Sequence, residues 1–184
     1  MKALLLTGPS GSGKTTLAQL LVEKYEGLAF SISATTRPPR PGEVHGRDYY
    51  FLSEVEFDME LAQGGFVEWE RLFSGYRYGT LRRELERIQS LGKWALFVKD
   101  VRGALSLKRE LADRLTTVFL VPPSIEALRE RLLARAPHTP EDLAERLARA
   151  EEELRMVSQF DYVLYNDDLK RALERLERLL HRLV

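Results

Sequence analysis

The stretch that decides the fold is "GPSGSGKT", residues Gly8 to Thr15, which follows directly on the apolar run "ALLLT". It matches G-x-x-x-x-G-K-[ST] at Gly8, Gly13, Lys14 and Thr15. Glycines permit backbone conformations in which successive N–H groups converge on phosphate oxygens, and the helix that follows adds its positive N-terminus. Lys14 is expected to reach the β and γ phosphates, and the Thr15 hydroxyl to be a ligand of Mg²⁺. Gly8, Pro9, Ser10, Gly11, Ser12, Gly13, Lys14, Thr15 and Thr16 therefore form the expected triphosphate site. The motif leaves hydrolysis, mechanical work and transfer to a small acceptor all open.

Outward from this loop, apolar runs and helical periods alternate. "KALLLT", "LAFSIS", "WALFVKD", "TTVFLV" and "YVLYN" are short and apolar, as buried parallel strands are. Between them lie "TTLAQLLVEKY", "LRRELERIQSLG", "GALSLKRELA", "SIEALRERLLAR", "PEDLAERLARAEEELRMV" with Thr139 as N-cap, and "DLKRALERLERLLHRLV", all with helical spacing. This rhythm predicts an α/β fold, a parallel sheet flanked by helices with right-handed crossovers. Residues 34–80 depart from it. "ATTRPPRPGEVHGRDYYF" has no helical period, and Ser53 with Glu56 is a capping-box pattern for a helix that ends at Gly64 and Gly65. "FVEWERLFSGYRYGT" is expected to be a hairpin with a Ser-Gly turn. An inserted β-containing subdomain is the expectation there.

The chain has 184 residues, enough for one domain with a sizeable core. Lys plus Arg (28) equal Asp plus Glu (28), so no global field favours nucleic acid or a membrane surface. Anion binding must come from local placement. Cysteine is absent, which removes disulfides, thiol catalysis and thiolate metal sites. With no apolar run long enough for a leader or a membrane span, a cytoplasmic protein is expected.

Arg37 and Arg40 are stiffened by Pro38, Pro39 and Pro41, and two guanidinium forks held this way match phosphate oxygens bidentately. With Glu43, "GRDYYF" and the downstream "EW…YGT", they resemble the guanylate kinase family, and the resemblance runs from the glycine loop to "NDDL". It implies a P-loop NTPase-type core (about 1–33, 81–125 and 160–184), an inserted NMP-binding subdomain (about 34–80) and a short helical lid (about 126–159). It implies phosphate transfer from ATP to GMP, and to dGMP, with Mg²⁺ as cofactor and no obligatory protein partner. Arg37, Arg40, Tyr49 and Tyr78 would hold the GMP phosphate together with Glu43, while Ser33, Glu68, Thr80 and Asp100 would read guanine. Carboxylates accept only and suit the N1–H and 2-amino side of guanine; hydroxyls of Ser33 or Thr80 can donate to O6. Arg131, Arg135 and Arg146 would close on the triphosphate with the lid, whose hinge is flanked by Pro137 and Pro140, and Asn166 would contact the adenine of ATP. Lys14, Arg37 and these three arginines are the expected catalytic set.

One segment departs from the family, which writes "DIDVQGA" where this chain has "VKDVRGA". Val98 replaces the first carboxylate and Arg102 the glutamine. Read as a strand, Val98 and Asp100 point the same way, so Val98 is expected to face the metal region and to leave Mg²⁺ less well held. The departure leaves two alternatives open: a related small-molecule kinase such as a ribose bisphosphate phosphokinase, and a non-catalytic guanylate-kinase-like module that binds protein.

Overall fold

The first apolar run forms β1 (Ala3–Thr7), buried at every position. The computed structural model describes residues 2–72, 75–135 and 139–183, and of Arg135 the backbone alone. After β1 come α1 (Lys14–Lys24), β2 (Leu28–Phe30), β3 (Ala34–Thr35), β4 (Tyr50–Phe51), α2 (Glu54–Ala62), β5 (Phe66–Arg71) and β6 (Arg77–Leu81). The second half contains α3 (Arg82–Ser90), β7 (Trp94–Val98), α4 (Val101–Leu111), β8 (Leu115–Val121) and α5 (Ile125–Arg135). It ends with α6 (Pro140–Leu154), β9 (Tyr162–Tyr165) and α7 (Leu169–Leu183).

Five strands make one sheet in the order β2-β7-β1-β8-β9, with every pairing parallel. Parallel neighbours need long crossovers, and here helices supply them on both faces. Leu4 and Leu6 pack with Leu17 and Leu21 of α1 and Leu176 and Leu180 of α7. Ala3 and Leu5 pack on the opposite face with Leu107 and Leu111 of α4. Burial on both faces is why β1 reads as an unbroken apolar run and not an alternation.

A second sheet, ordered β4-β3-β6-β5, stands beside it. Its small core is Ala34, Phe57, Phe66 and Leu81, with the Phe57 and Phe66 rings stacked at 4.3 Å. The capping box is present: Ser53 Oγ accepts from Glu56 N at 3.2 Å, and Glu56 Oε2 accepts from Ser53 N at 2.7 Å. Glu84, fully buried in α3, ties the two sheets together. Its oxygens accept from Ile32 N (2.9 Å), the Tyr50 hydroxyl (2.8 Å) and Arg87 (2.8 Å). Burial pushes this carboxyl up, but those hydrogen bonds outweigh it and hold the group below the ordinary glutamate range.

Three local expectations change. The second strand stops at Phe30, although Ser31 N still donates to Leu96 O at 2.9 Å. The proline-rich stretch carries two short strands, β3 and β4, paired parallel to each other. Asp100 is not a strand residue: β7 ends at Val98, and Asp100 is the N-cap of α4, its Oδ1 accepting from Gly103 N at 2.8 Å. The alternation that aligned Val98 with Asp100 therefore does not apply. Ser74 of the expected turn and Pro137 beside the expected hinge lie outside the described residues. No helix among the described residues is long and apolar enough to cross a membrane.

Candidate active site

The glycine loop bends where only glycine fits. Gly8 has φ +132°, and a Cβ there would run into the carbonyl oxygen of Leu120. Gly13 caps α1 in the left-handed conformation at φ +94°, and no side chain caps the helix start. The first N–H groups of α1 thus face outward as anion donors. Asn166 fixes the loop from below: its Nδ2 donates to Ser12 O at 2.8 Å, and its own N–H to Val121 O at 2.9 Å. It is buried, and a Cβ on Gly13 would collide with its amide. Its Nδ2 is thus engaged with the loop's main chain, and the residue, expected to contact adenine, also lines the cavity over the loop. Lys14 Nζ donates to the carbonyls of Gly8 (2.6 Å) and Pro9 (2.9 Å).

Three cavities meet around this loop. One of about 530 Å³ lies over Ser10, Gly13 and Thr16 and is walled by Arg131 and Asn166. A second, about 520 Å³, runs from Thr15 past Val98 to Ser33, Glu43 and Tyr49. Thr15 borders both. A third, about 390 Å³, lies between Gly8, Lys14 and Asp100 on one side and Arg146 and Arg149 of α6 on the other.

Arg37 is buried behind Glu43 and Tyr49, which line the second cavity. Its Nη2 lies 2.9 Å from each oxygen of Glu43, and its Nη1 donates to Pro38 O at 2.7 Å. Glu43, then Tyr78, hold this guanidinium firmly charged. The Tyr49 ring lies 5.4 Å from the Arg37 cation and meets Tyr78 edge-on at 6.0 Å. Glu43 also accepts from Arg40 N at 2.7 Å, while the Arg40 side chain is exposed. Both oxygens of Glu43 are thus engaged by the arginine loop, and the Arg37 contact, then the Arg40 N–H, keep it below the usual carboxylate range. Glu43, expected among the GMP-binding residues, borders the second cavity and orients the Arg37 cation.

The four expected base readers converge, with additions that the sequence reading missed. Glu68 is buried on β5; its Oε1 accepts from Thr80 Oγ1 at 2.6 Å and forms an ion pair with Lys99 Nζ at 2.9 Å. Lys99 Nζ also donates to Ser33 Oγ at 3.1 Å. The Thr80 hydroxyl, expected among the guanine readers, donates to Glu68 in this arrangement. Glu70, two residues on and so on the same strand face, interacts with Asp100. Burial first, then the Asp100 carboxylate and Glu68, push Glu70 up to about 7, against the pull of Lys99. Lys99 was legible as the charged residue between Val98 and Asp100, and Glu70 as a second acid at period two.

Of the lid arginines, Arg131 Nη2 donates to Asn166 O at 3.2 Å beside the loop. Arg146 pairs within its own helix with Asp142 at 3.1 Å, while bordering the third cavity. Arg149, which the sequence reading passed over, reaches Asp100 Oδ2 at 3.3 Å and Glu153 Oε1 at 3.1 Å. The side chain of Arg135 lies outside the described residues.

The family model described as "Guanylate kinase" matches residues 1–183. A protein named guanylate kinase from Chlorobaculum tepidum is 46% identical, the match covering 94% of this chain and 88% of that one. One from Hyphomonas neptunium is 44% identical over 96% of this chain and 81% of that one. The crystal structure of guanylate kinase from Anaplasma phagocytophilum superposes with a TM-score of 0.78 at 31% identity, covering 98% of this chain and 85% of that one. A shikimate kinase structure from Bacteroides thetaiotaomicron, 19% identical with a TM-score of 0.54, shares the fold alone. These matches favour neither the ribose bisphosphate kinase nor the protein-binding module. A phosphate loop, an adjoining cavity bordered by Glu43 and Tyr49, and a match along nearly the whole chain lead to one assignment: the chain belongs to the guanylate kinase family.

Proposed function

We infer that the protein is a guanylate kinase, transferring the terminal phosphate of ATP to GMP to give ADP and GDP, with dGMP as a further acceptor. The observation that carries this reading is the border residue Thr15, which lines both the cavity over the phosphate loop and the cavity that leads to Ser33, Glu43 and Tyr49. Donor and acceptor phosphates can therefore meet at one place.

ATP is assigned to the loop at Gly8, Pro9, Ser10, Gly11, Ser12, Gly13, Thr15 and Thr16, with Asn166 as the loop's internal clamp. Lys14 would leave the Gly8 and Pro9 carbonyls for the β and γ phosphates. Arg37, Arg40, Tyr49 and Tyr78, with Glu43, are assigned to the GMP phosphate, and Ser33, Glu68, Thr80 and Asp100 to the base. One GMP phosphate oxygen forms a bond to the γ-phosphorus as the bond to the β–γ bridging oxygen breaks. That oxygen is already anionic, so no side chain needs to take a proton. Positioning and charge stabilisation then do most of the catalysis, and Arg131, Arg135, Arg146 and Arg149 are the cations available for it. Residues 126–159 are proposed as the lid that excludes water, and 34–80 as the NMP-binding subdomain.

The Thr15 hydroxyl is a hard oxygen ligand of the kind Mg²⁺ takes, so the site fits an ion brought in with ATP. Bound there, Mg²⁺ would neutralise phosphate charge. Among the described residues no cluster of three acidic or imidazole side chains is arranged to hold a metal, so Thr15, the phosphates and water are the proposed ligands. We propose the cytoplasm as its compartment, in keeping with free nucleotides as substrates.

A coupled assay of ADP release tests the reading, with ATP and, in turn, GMP, dGMP, AMP, CMP, UMP or ribose bisphosphate. GMP and dGMP should be the good acceptors. Adenine presents an acceptor at N1 to a carboxylate, and an unpaired buried polar group costs about 1–3 kcal/mol. Turnover of AMP equal to that of GMP would falsify the assignment.

A further inference from the structure

Lys99 lies in the turn between β7 and α4, where the family pattern quoted above has an isoleucine. Its main-chain N–H donates to Leu6 O at 3.2 Å, which mounts it on the central strand beside the phosphate loop. The side chain is 10% exposed and its partner Glu68 only 5%. An ammonium carries three N–H donors. One serves Ser33 Oγ, and the ammonium as a whole is ion-paired with Glu68 Oε1 at 2.9 Å, which leaves an N–H without a hydrogen-bond partner among the described residues. Glu68 receives both Thr80 and Lys99 on the same oxygen, Oε1. Its Oε2 accepts no hydrogen bond among the described residues and is left as an acceptor on the same carboxylate.

We propose that Lys99 reads the base: its third N–H donates to the 6-oxo group of the incoming purine while Glu68 Oε2 accepts from N1–H. This deepens the guanylate kinase reading and rests on it. A donor and an acceptor from one ion pair match the 6-oxo, N1–H edge of guanine and oppose the 6-amino, N1 edge of adenine at both positions. The hydroxyls do not fill this role equally well. Thr80 has given its proton to Glu68, and Ser33 retains one proton but carries no charge. A hydrogen bond from a charged donor contributes more than a neutral one, so Lys99 sets a large part of the preference for an oxo group.

The alternative is a lysine that only neutralises Glu68. The two roles separate with 6-thioguanosine monophosphate, which keeps N1–H and the 2-amino group and replaces O6 by sulfur, a weak acceptor. For the wild-type enzyme, kcat/KM for GMP should exceed that for the thio analogue by roughly 10–100-fold, the effect expected when a charged donor loses its acceptor. In K99M the ratio should fall to within about threefold of unity, because the apolar side chain has nothing to donate. K99R, which keeps a cation, should retain an intermediate ratio. A merely neutralising lysine changes both substrates together, so an unchanged ratio in K99M overturns the proposal. Calorimetric binding of GMP and the thio analogue to the wild-type protein gives a reading that no folding defect can disturb, and equal affinities there also overturn it. Wild-type protein that does not phosphorylate GMP sinks instead the functional reading beneath the proposal.

Discussion

Arg37 and Glu43 form a two-oxygen contact, each Glu43 oxygen 2.9 Å from Arg37 Nη2, on a loop that also turns the Arg40 N–H onto the same carboxylate. The acceptor cation is therefore held in place by a carboxylate six residues on, and its orientation is set before any phosphate arrives. Glu43→Gln keeps the shape and removes the charge, so the Arg37 fork loses its preferred orientation. KM for GMP should rise by about 5–30-fold, the loss expected for one charge-assisted hydrogen-bond pair, with kcat changing less. Steady-state kinetics with varied GMP check this, and a fall in KM would show that Glu43 chiefly competes with the phosphate.

The phosphate loop leaves no room at Gly13. An alanine there would need a left-handed backbone and would collide with the Asn166 amide that clamps Ser12. Strain of this kind costs on the order of 1–3 kcal/mol, with the displaced clamp added to it. Gly13→Ala should weaken ATP binding by at least about 10–100-fold and leave GMP binding intact. Calorimetry with each nucleotide alone separates the two.

Glu70 makes stability depend on pH. Its folded-state value, about 7, lies above the ordinary glutamate value of 4.5 because of burial, then Asp100 and Glu68, with Lys99 opposing. Between those values the native state binds a proton that the unfolded chain has lost, so stability falls as pH rises through that window. Glu70→Gln removes the group. It should raise the melting temperature at pH 8 by roughly 2–6 °C, equivalent to about 1–2 kcal/mol after allowance for solvent screening, and by much less at pH 5. Melting curves of both proteins at the two pH values decide it; an equal shift at both would remove Glu70 as the titrating group.

Val98 borders the same cavity as Thr15, at the end of β7. An acid at that point would orient water around the ion. Val98→Asp should lower the Mg²⁺ concentration for half-maximal rate by about tenfold, the change that 1.4 kcal/mol produces. A Mg²⁺ titration that leaves the midpoint unmoved counts against this placement.

Most of the fold could be read from the sequence because its signals are local. Unbroken apolar runs gave the parallel strands, and Ser53 with Glu56 or Thr139 marked helix starts that the structure contains. β3 and β4 escaped because two residues carry no period; only pairing to distant strands makes them. Asp100 was misplaced because a strand end and a helix cap can share one short motif. Within the site, glycine and proline positions announced the loop and the arginine wall. The network of Lys99, Glu70 and Arg149 did not announce itself. Charged residues recur throughout this chain, and which of them turn toward the cleft is decided by packing between β5, β7 and α6.

The most direct measurement is a crystal structure with GMP and a non-hydrolysable ATP analogue bound together. The triphosphate should lie on the N–H groups of residues 11–16 and the GMP phosphate on Arg37 and Arg40, with Thr15 between them. GMP bound away from this cleft, with both arginines turned to solvent, would contradict it.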